Sequence, residues 1–245
     1  MRLRDLLQRT APGKFVKSKR AAGFRSRAGV RLRGITKRLS VEVYSSAELP
    51  LQKDGPSGYG GGKFWGGNGL KRGCAVDAQV ARLTNLGESA RRGARMLSLT
   101  KHAFHALRHH KLTPVVAQRV VVDEPRRLGT AVDLVCTDAR DSAALVLLEL
   151  KTGYPGDRAM PVNGHLMMKA PLRKAHDCAL HRHLAQLSVT HRMFVSEADT
   201  VRALETLGIA KIRGALLYVT PKESELHVLE PYWLNKAKAL VDAIR

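Results

Sequence analysis

The sequence predicts an α+β (α/β) fold: a mixed central β-sheet flanked by helices, preceded by a basic N-terminal arm. Aliphatic, β-branched runs cluster between residues 114 and 151, and segments with apolar residues at helical spacing precede and follow them. Hydrophobic residues make up 44 % of the 245, enough for a sizeable core and against wholesale disorder.

The charge is uneven. Of the net +21, residues 1–40 carry +12, from 13 Lys and Arg against the single acid Asp5. A polyanion is the natural partner of such a chain, with nucleic acid the first choice. Residues 1–53 are therefore expected as a basic, partly flexible arm that neutralises phosphates. An Arg-rich, acid-poor mitochondrial import segment and a solvated tail are the alternatives. Residues 54–72 form a Gly-rich linker: nine glycines within residues 54–73 exclude a regular helix or strand. Tyr59, Phe64 and Trp65 within it could stack on bases; the plainer reading is a hinge.

The folded domain is expected over residues 73–245. Val76, Val80, Leu83 and Leu86 give helical spacing over 75–96, weakened by Gly87 and Gly93. Residues 99–111 give a second helix, with His102, His105 and His109 near one face. No acid accompanies them, so a basic solvated stripe is the reading preferred to a metal site. Pro114–Val122, Thr130–Cys136 and Ala143–Lys151 read as three strands of an antiparallel meander. Pro171–Val195 reads as one long helix, Ile212–Val219 as a strand and Pro231–Ile244 as a closing helix. No uncharged apolar run reaches the roughly 18 residues of a membrane span. Three cysteines, Cys74, Cys136 and Cys178, suit a reduced, intracellular protein and cannot supply a four-cysteine iron–sulfur or zinc site.

Two acids lie inside apolar strands, Asp133 in AVDLV and Glu149 in LLELK, where a charge is unfavourable without a partner or a metal. Glu149 and Lys151, two apart on a strand, share a face. In a hairpin turning near residue 140, Glu149 lies opposite residue 131 or so. Asp133 then joins the same face if the register is even, which the residues do not dictate. Two carboxylates can hold Mg²⁺ or Mn²⁺ through oxygen, the metal polarises a phosphate and acidifies a bound water, and a lysine orients that water. An edge ion triad of little energetic weight is the alternative.

These residues resemble the PD-(D/E)XK nuclease superfamily, nearest its RecB-like exonuclease branch. GTAVDLV (129–135) is similar to that branch's G-x-x-D element, with one extra residue between Gly129 and Asp133. LLELKTG (147–153) matches its acid-x-Lys-Thr-Gly strand end at Glu149, Lys151, Thr152 and Gly153. HRHLAQLSVTHRMF (181–194) places Gln186 where the branch has Gln, but Thr190 where it has Tyr. Gly73 to Asp77 is similar to an upstream G-x-x-x-His element, with Asp77 in place of His; Asp77 could ligate a hard metal or only cap its helix. The likeness covers residues 73–219, about three-fifths of the chain.

The resemblance implies a restriction-endonuclease-like core and one or two Mg²⁺ (or Mn²⁺) ions on Asp133, Glu149, Asp77 and the Leu150 backbone carbonyl, with no iron–sulfur cluster. It implies Lys151 positioning the attacking water, Gln186 steadying Lys151 or a phosphate, and products with 5′-phosphates. Lys169, Arg173, Lys174 and Arg182 form a basic helix face that could follow the DNA backbone, or an ordinary solvated face. The expected function is a metal-dependent deoxyribonuclease, exonuclease-like, acting on DNA with RNA as a second candidate. It would work inside the cell or virion wherever DNA is, with no membrane partner. The alternative is a non-catalytic nucleic-acid-binding or packaging protein on a degenerate nuclease fold. Oligomeric state and end preference are not written in the sequence.

Overall fold

The computed structural model describes residues 2–17, 22–45, 69–152, 158–159 and 166–245. The expected linker from 54 to 68, the stretch 46–53 and Gly153 lie outside the described residues. Among those described, eight strands form one mixed, open sheet with helices on both faces. No described helix is long and apolar enough to cross a membrane.

The chain opens with α1 (Leu3–Arg9), β1 (Gly13–Lys17), β2 (Ala22–Ser26), β3 (Arg31–Gly34) and α2 (Ile35–Glu42). Then come α3 (Gly69–Leu86), α4 (Glu88–Arg92) and α5 (Ser98–His109). The central meander is β4 (Leu112–Asp123), β5 (Leu128–Asp138) and β6 (Asp141–Thr152). It is followed by α6 (Ala179–Val195), α7 (Ala198–Glu205), β7 (Lys211–Val219), β8 (Ser224–Val228) and α8 (Pro231–Ala243). As expected, β4, β5 and β6 pair antiparallel. β7 joins β6 in parallel, and β8 closes that edge antiparallel.

The segment expected as an arm is built into this fold. β1, β2 and β3 pair antiparallel, and β3 joins β5 in parallel at Arg33–Leu128 and Gly34–Gly129. Leu6, Leu7, Leu32, Ile35, Leu39 and Val43 are buried. Several arginines that made the segment look like an arm serve as carbonyl donors instead. Arg4 reaches Val115 and Thr84, and Arg38 reaches Ile244 and Arg245. Buried Arg119 (β4) fastens α1 through the Leu7 carbonyl, pairs with Glu197 at 2.7 Å and lies over the Phe194 ring.

Two helix boundaries also differ from expectation. α3 begins at Gly69, inside the stretch whose glycines argued against a helix, and Gly87 (φ +95°) breaks it from α4. Packing of Val76, Val80 and Leu83 overrides the weak local propensity. The helix expected from Pro171 starts only at Ala179, where the Cys178 sulfur accepts the His181 N–H. Residues 166–178 instead make turns, leaving Asp177 outside the helix to pair with Arg182.

The sheet separates two apolar layers. One holds Leu145 and Leu147 of β6 against α6, α8 and the N-terminal helices. The other holds Val146, Leu148 and Leu150 against α3 and α5.

Candidate active site

β5 has a divided edge. Its second half pairs with β6 as far as Leu134–Leu148, while its start pairs with β3. β4 runs along the opposite edge throughout. Between the departing β6 and the arriving β3 lies a fork, and Asp133 sits in it. There the ladder is replaced by a side chain: the Leu150 N–H donates to Asp133 Oδ2 at 3.0 Å. A strand residue's N–H and C=O point to the same edge, so the Leu150 carbonyl also turns towards this fork.

The opposed register puts Asp133 across from Glu149, in line with the Leu134–Leu148 pair. Glu149 is buried; its Oε1 accepts Lys151 Nζ at 2.5 Å and Gln186 Nε2 at 2.6 Å. Lys151 side-chain exposure is 19 %, so this side of the site is partly open to solvent. Asp77 belongs to α3, well inside the helix, which removes the capping alternative. It is half-buried, close enough to Asp133 and Lys151 to feel both charges. Thus Asp77, Asp133, Glu149, Leu150, Lys151 and Gln186 are brought together by α3, β5, β6 and α6.

Electrostatics follow from crowding acids in a partly buried site. Burial, with Asp133 adding to it against Lys151, pushes the Asp77 carboxyl up to about 6. Burial and then Asp133 raise Glu149 to about 7, against the pull of Lys151. Burial raises Asp133 as well, opposed by Lys151, the Leu150 N–H and Gln118. Burial, then the Lys151 and Arg182 charges, hold His183 neutral, with its Nδ1 2.7 Å from the Tyr218 hydroxyl.

Gln118 was missed by sequence reasoning. Its backbone is left-handed (φ 54°), and its Nε2 donates to Asp133 Oδ1 at 3.2 Å. The distortion inverts the faces of both strands. Ala117 and Leu134 lie in the α3/α5 layer, whereas Val116, Val132 and Val135 lie in the other. The available signal was a polar residue inside the apolar run PVVAQRVVV.

The expected basic helix face is not formed. Lys169, Arg173 and Lys174 are exposed but lie in the turns before α6, and Lys169 Nζ donates to the Val41 carbonyl. Arg182 is on α6 yet buried, its Nε and Nη2 bonding Asp177 at 2.5 and 2.9 Å. It lies over the Tyr44 ring, and Asp177 also accepts the Ser45 N–H. This is a clip between α6 and the N-terminal segment, not a phosphate contact. The Tyr44 hydroxyl donates to the Arg182 carbonyl, and burial raises its phenol above the ordinary range.

Among the described residues no three His, Cys, Asp or Glu side chains are arranged to hold a metal as they stand, the α5 histidines included. In the acid cluster, both Asp133 oxygens and Glu149 Oε1 already accept hydrogen bonds. By chemistry the set still fits a hard cation, being carboxylates and one backbone carbonyl. Comparison with known proteins finds no family model that matches the chain and no curated protein that resembles it.

Proposed function

We propose that the chain is a divalent-metal-dependent nuclease hydrolysing phosphodiester bonds in DNA, with RNA a second candidate substrate. One observation carries this reading: Asp133, Glu149 and Lys151 converge where β5 and β6 part, with Glu149 buried and Lys151 partly open to solvent. The exonuclease-like character and restriction-endonuclease-like core rest on the likeness of GTAVDLV and LLELKTG to the RecB-like branch.

Asp133, Glu149, the Leu150 carbonyl and Asp77 would hold Mg²⁺ or Mn²⁺. When bound, the metal supplies Lewis acidity and lowers the pKa of water. Gln186 restrains the Glu149 carboxylate, and Gln118 with the Leu150 N–H restrains Asp133. Lys151 orients the attacking water and offsets charge on the phosphoryl oxygens. The water oxygen would bond to phosphorus and give up its proton to solvent, the bond to O3′ would break, and the leaving oxygen would take a proton from solvent, so the product would keep a 5′-phosphate. The test is incubation of linear and circular DNA with Mg²⁺. Asp133→Ala and Lys151→Ala are each expected to cleave at least about 10²-fold more slowly than wild type. Equal cleavage by all three proteins would refute the assignment. Digestion of linear DNA alone identifies an exonuclease.

A second reading is a non-catalytic nucleic-acid binder. It is favoured by the way the cluster satisfies its own acceptors, with Lys151 and Gln186 both seated on Glu149. It expects salt-dependent DNA binding with no turnover in either Mg²⁺ or Mn²⁺.

A further inference from the structure

The three strands at the start of the chain form a small ribbon with two unlike faces. Phe24 and Leu32 turn one face onto β5, where a Cβ on Gly129 would stand 2.7 Å from Phe24 Cβ and 3.1 Å from Leu32 Cδ1. The other face carries cations in register. Lys14 lies directly opposite Arg25, and Arg25 directly opposite Arg31. Directly opposed residues share a face, and alternation along β3 adds Arg33 to it. All four are exposed.

Like charges facing each other across a ladder weaken it. Among the described residues no acid relieves this row. The bonds it makes go to carbonyls, Arg25 to Gly29 and Arg33 to Arg126. Among the described residues none of the four pairs with a carboxylate. A row of unneutralised cations stepping by about 4.8 Å per strand matches a polyanion rather than a single anion.

Position selects which polyanion. The ribbon is not a remote tail: β3 enters the sheet at Gly34–Gly129. Asp133 is four residues further along β5, about 13 Å away at the rise of a strand. A chain of phosphates laid across the ribbon is thereby led towards the fork that holds the acids.

We infer that the Lys14–Arg25–Arg31 face of the ribbon is a docking surface for the sugar–phosphate backbone of the nucleic acid, delivering it to Asp133 and Glu149. The choice of nucleic acid rests on the nuclease reading. The ribbon holds backbone without reading sequence, since contacts to phosphate carry position rather than base identity.

The test is binding of a fluorescein-labelled linear DNA duplex by the full chain in EDTA, followed by anisotropy from 50 to 200 mM KCl. Each phosphate contact contributes about 0.9 to the slope of log affinity against log salt. Lys14→Gln/Arg31→Gln should therefore flatten the slope by about 1.8, and Lys14→Gln alone by about half as much. Lys101→Gln/Lys238→Gln, which removes two exposed charges elsewhere, should leave the slope unchanged. An unchanged slope in the ribbon variants overturns the inference, as does an equal loss in the control. The two proposals fail separately. A wild type that binds through the ribbon but never cleaves in Mg²⁺ defeats the nuclease reading alone. One that cleaves while the ribbon variants keep their full slope defeats the ribbon alone.

Discussion

Gln118 holds a left-handed backbone that costs a side-chain-bearing residue about 1–2 kcal/mol, while its amide restrains Asp133. Replacing it by Ala or by Gly removes the amide equally, so the two variants differ in backbone strain. Gln118→Gly should be the more stable by about 1 kcal/mol, the reverse of the usual order within a strand. Denaturant midpoints read this directly; Ala at or above Gly would show that the strain is not there. Asp77 gives a second prediction, with its sign fixed by linkage. Its folded pKa of about 6 lies above its ordinary 3.8. The folded form therefore binds the proton more tightly, and stability is lost as pH rises from about 4 through 6. In EDTA, Asp77→Asn should be more stable than wild type at pH 8 and lose that advantage near pH 4. Equal melting temperatures at pH 8 would contradict the crowding of acids. Mg²⁺ should raise the melting temperature of the wild type more at pH 8 than at pH 5, because protons and cation compete for the same oxygens.

At the scale of elements, the N-terminal ribbon and α1 are fixed by a few contacts that mutation can cut. Gly129→Ala would drive a methyl into Phe24 and Leu32. Such overpacking costs about 1–3 kcal/mol, measurable as a lower denaturant midpoint. Arg119→Ala leaves Glu197 buried without its partner and removes the donor to the Leu7 carbonyl. Breaking a buried pair in this way costs about 3–5 kcal/mol. Limited proteolysis should then cut around α1 long before the β4–β6 meander is touched. Simultaneous cleavage of both would mean that α1 does not detach as a unit. The meander itself was legible in the sequence because its signals are local: three aliphatic runs with a polar turn at 137–142. The pairing of Glu149 with Lys151 followed from strand alternation alone. The partition of β5 between β6 and β3 was not legible, because β3 comes from more than ninety residues earlier in the chain.

For the whole molecule, net charge proved the least reliable guide to structure. Thirteen cations in forty residues suggested an arm, yet Leu6, Leu7, Ile35 and Leu39 among them are core. The apolar pattern was there but diluted, because arginines such as Arg4 and Arg38 satisfy distant carbonyls and so occupy positions where a polar surface was assumed. Arg182 misled in the same way: on α6 it looked like a phosphate ligand, and only the turn at Asp177 reveals its partner. α7 and β8 were overlooked because each is short, eight and five residues. Asp133, Glu149, Lys151, Gln186 and Asp77, singled out by their place in strands and motifs, come together in the fold, whereas Gln118 joins them through a register that no local signal gives.

Arg38 bonds the carbonyl of Ile244, 206 residues along the chain, and β3 waits for β5. During synthesis this segment emerges before both of those partners and would therefore dock late. Until β5 appears, the nascent chain would present the cationic face and the apolar face of the ribbon together, with nothing yet made that covers Phe24 and Leu32.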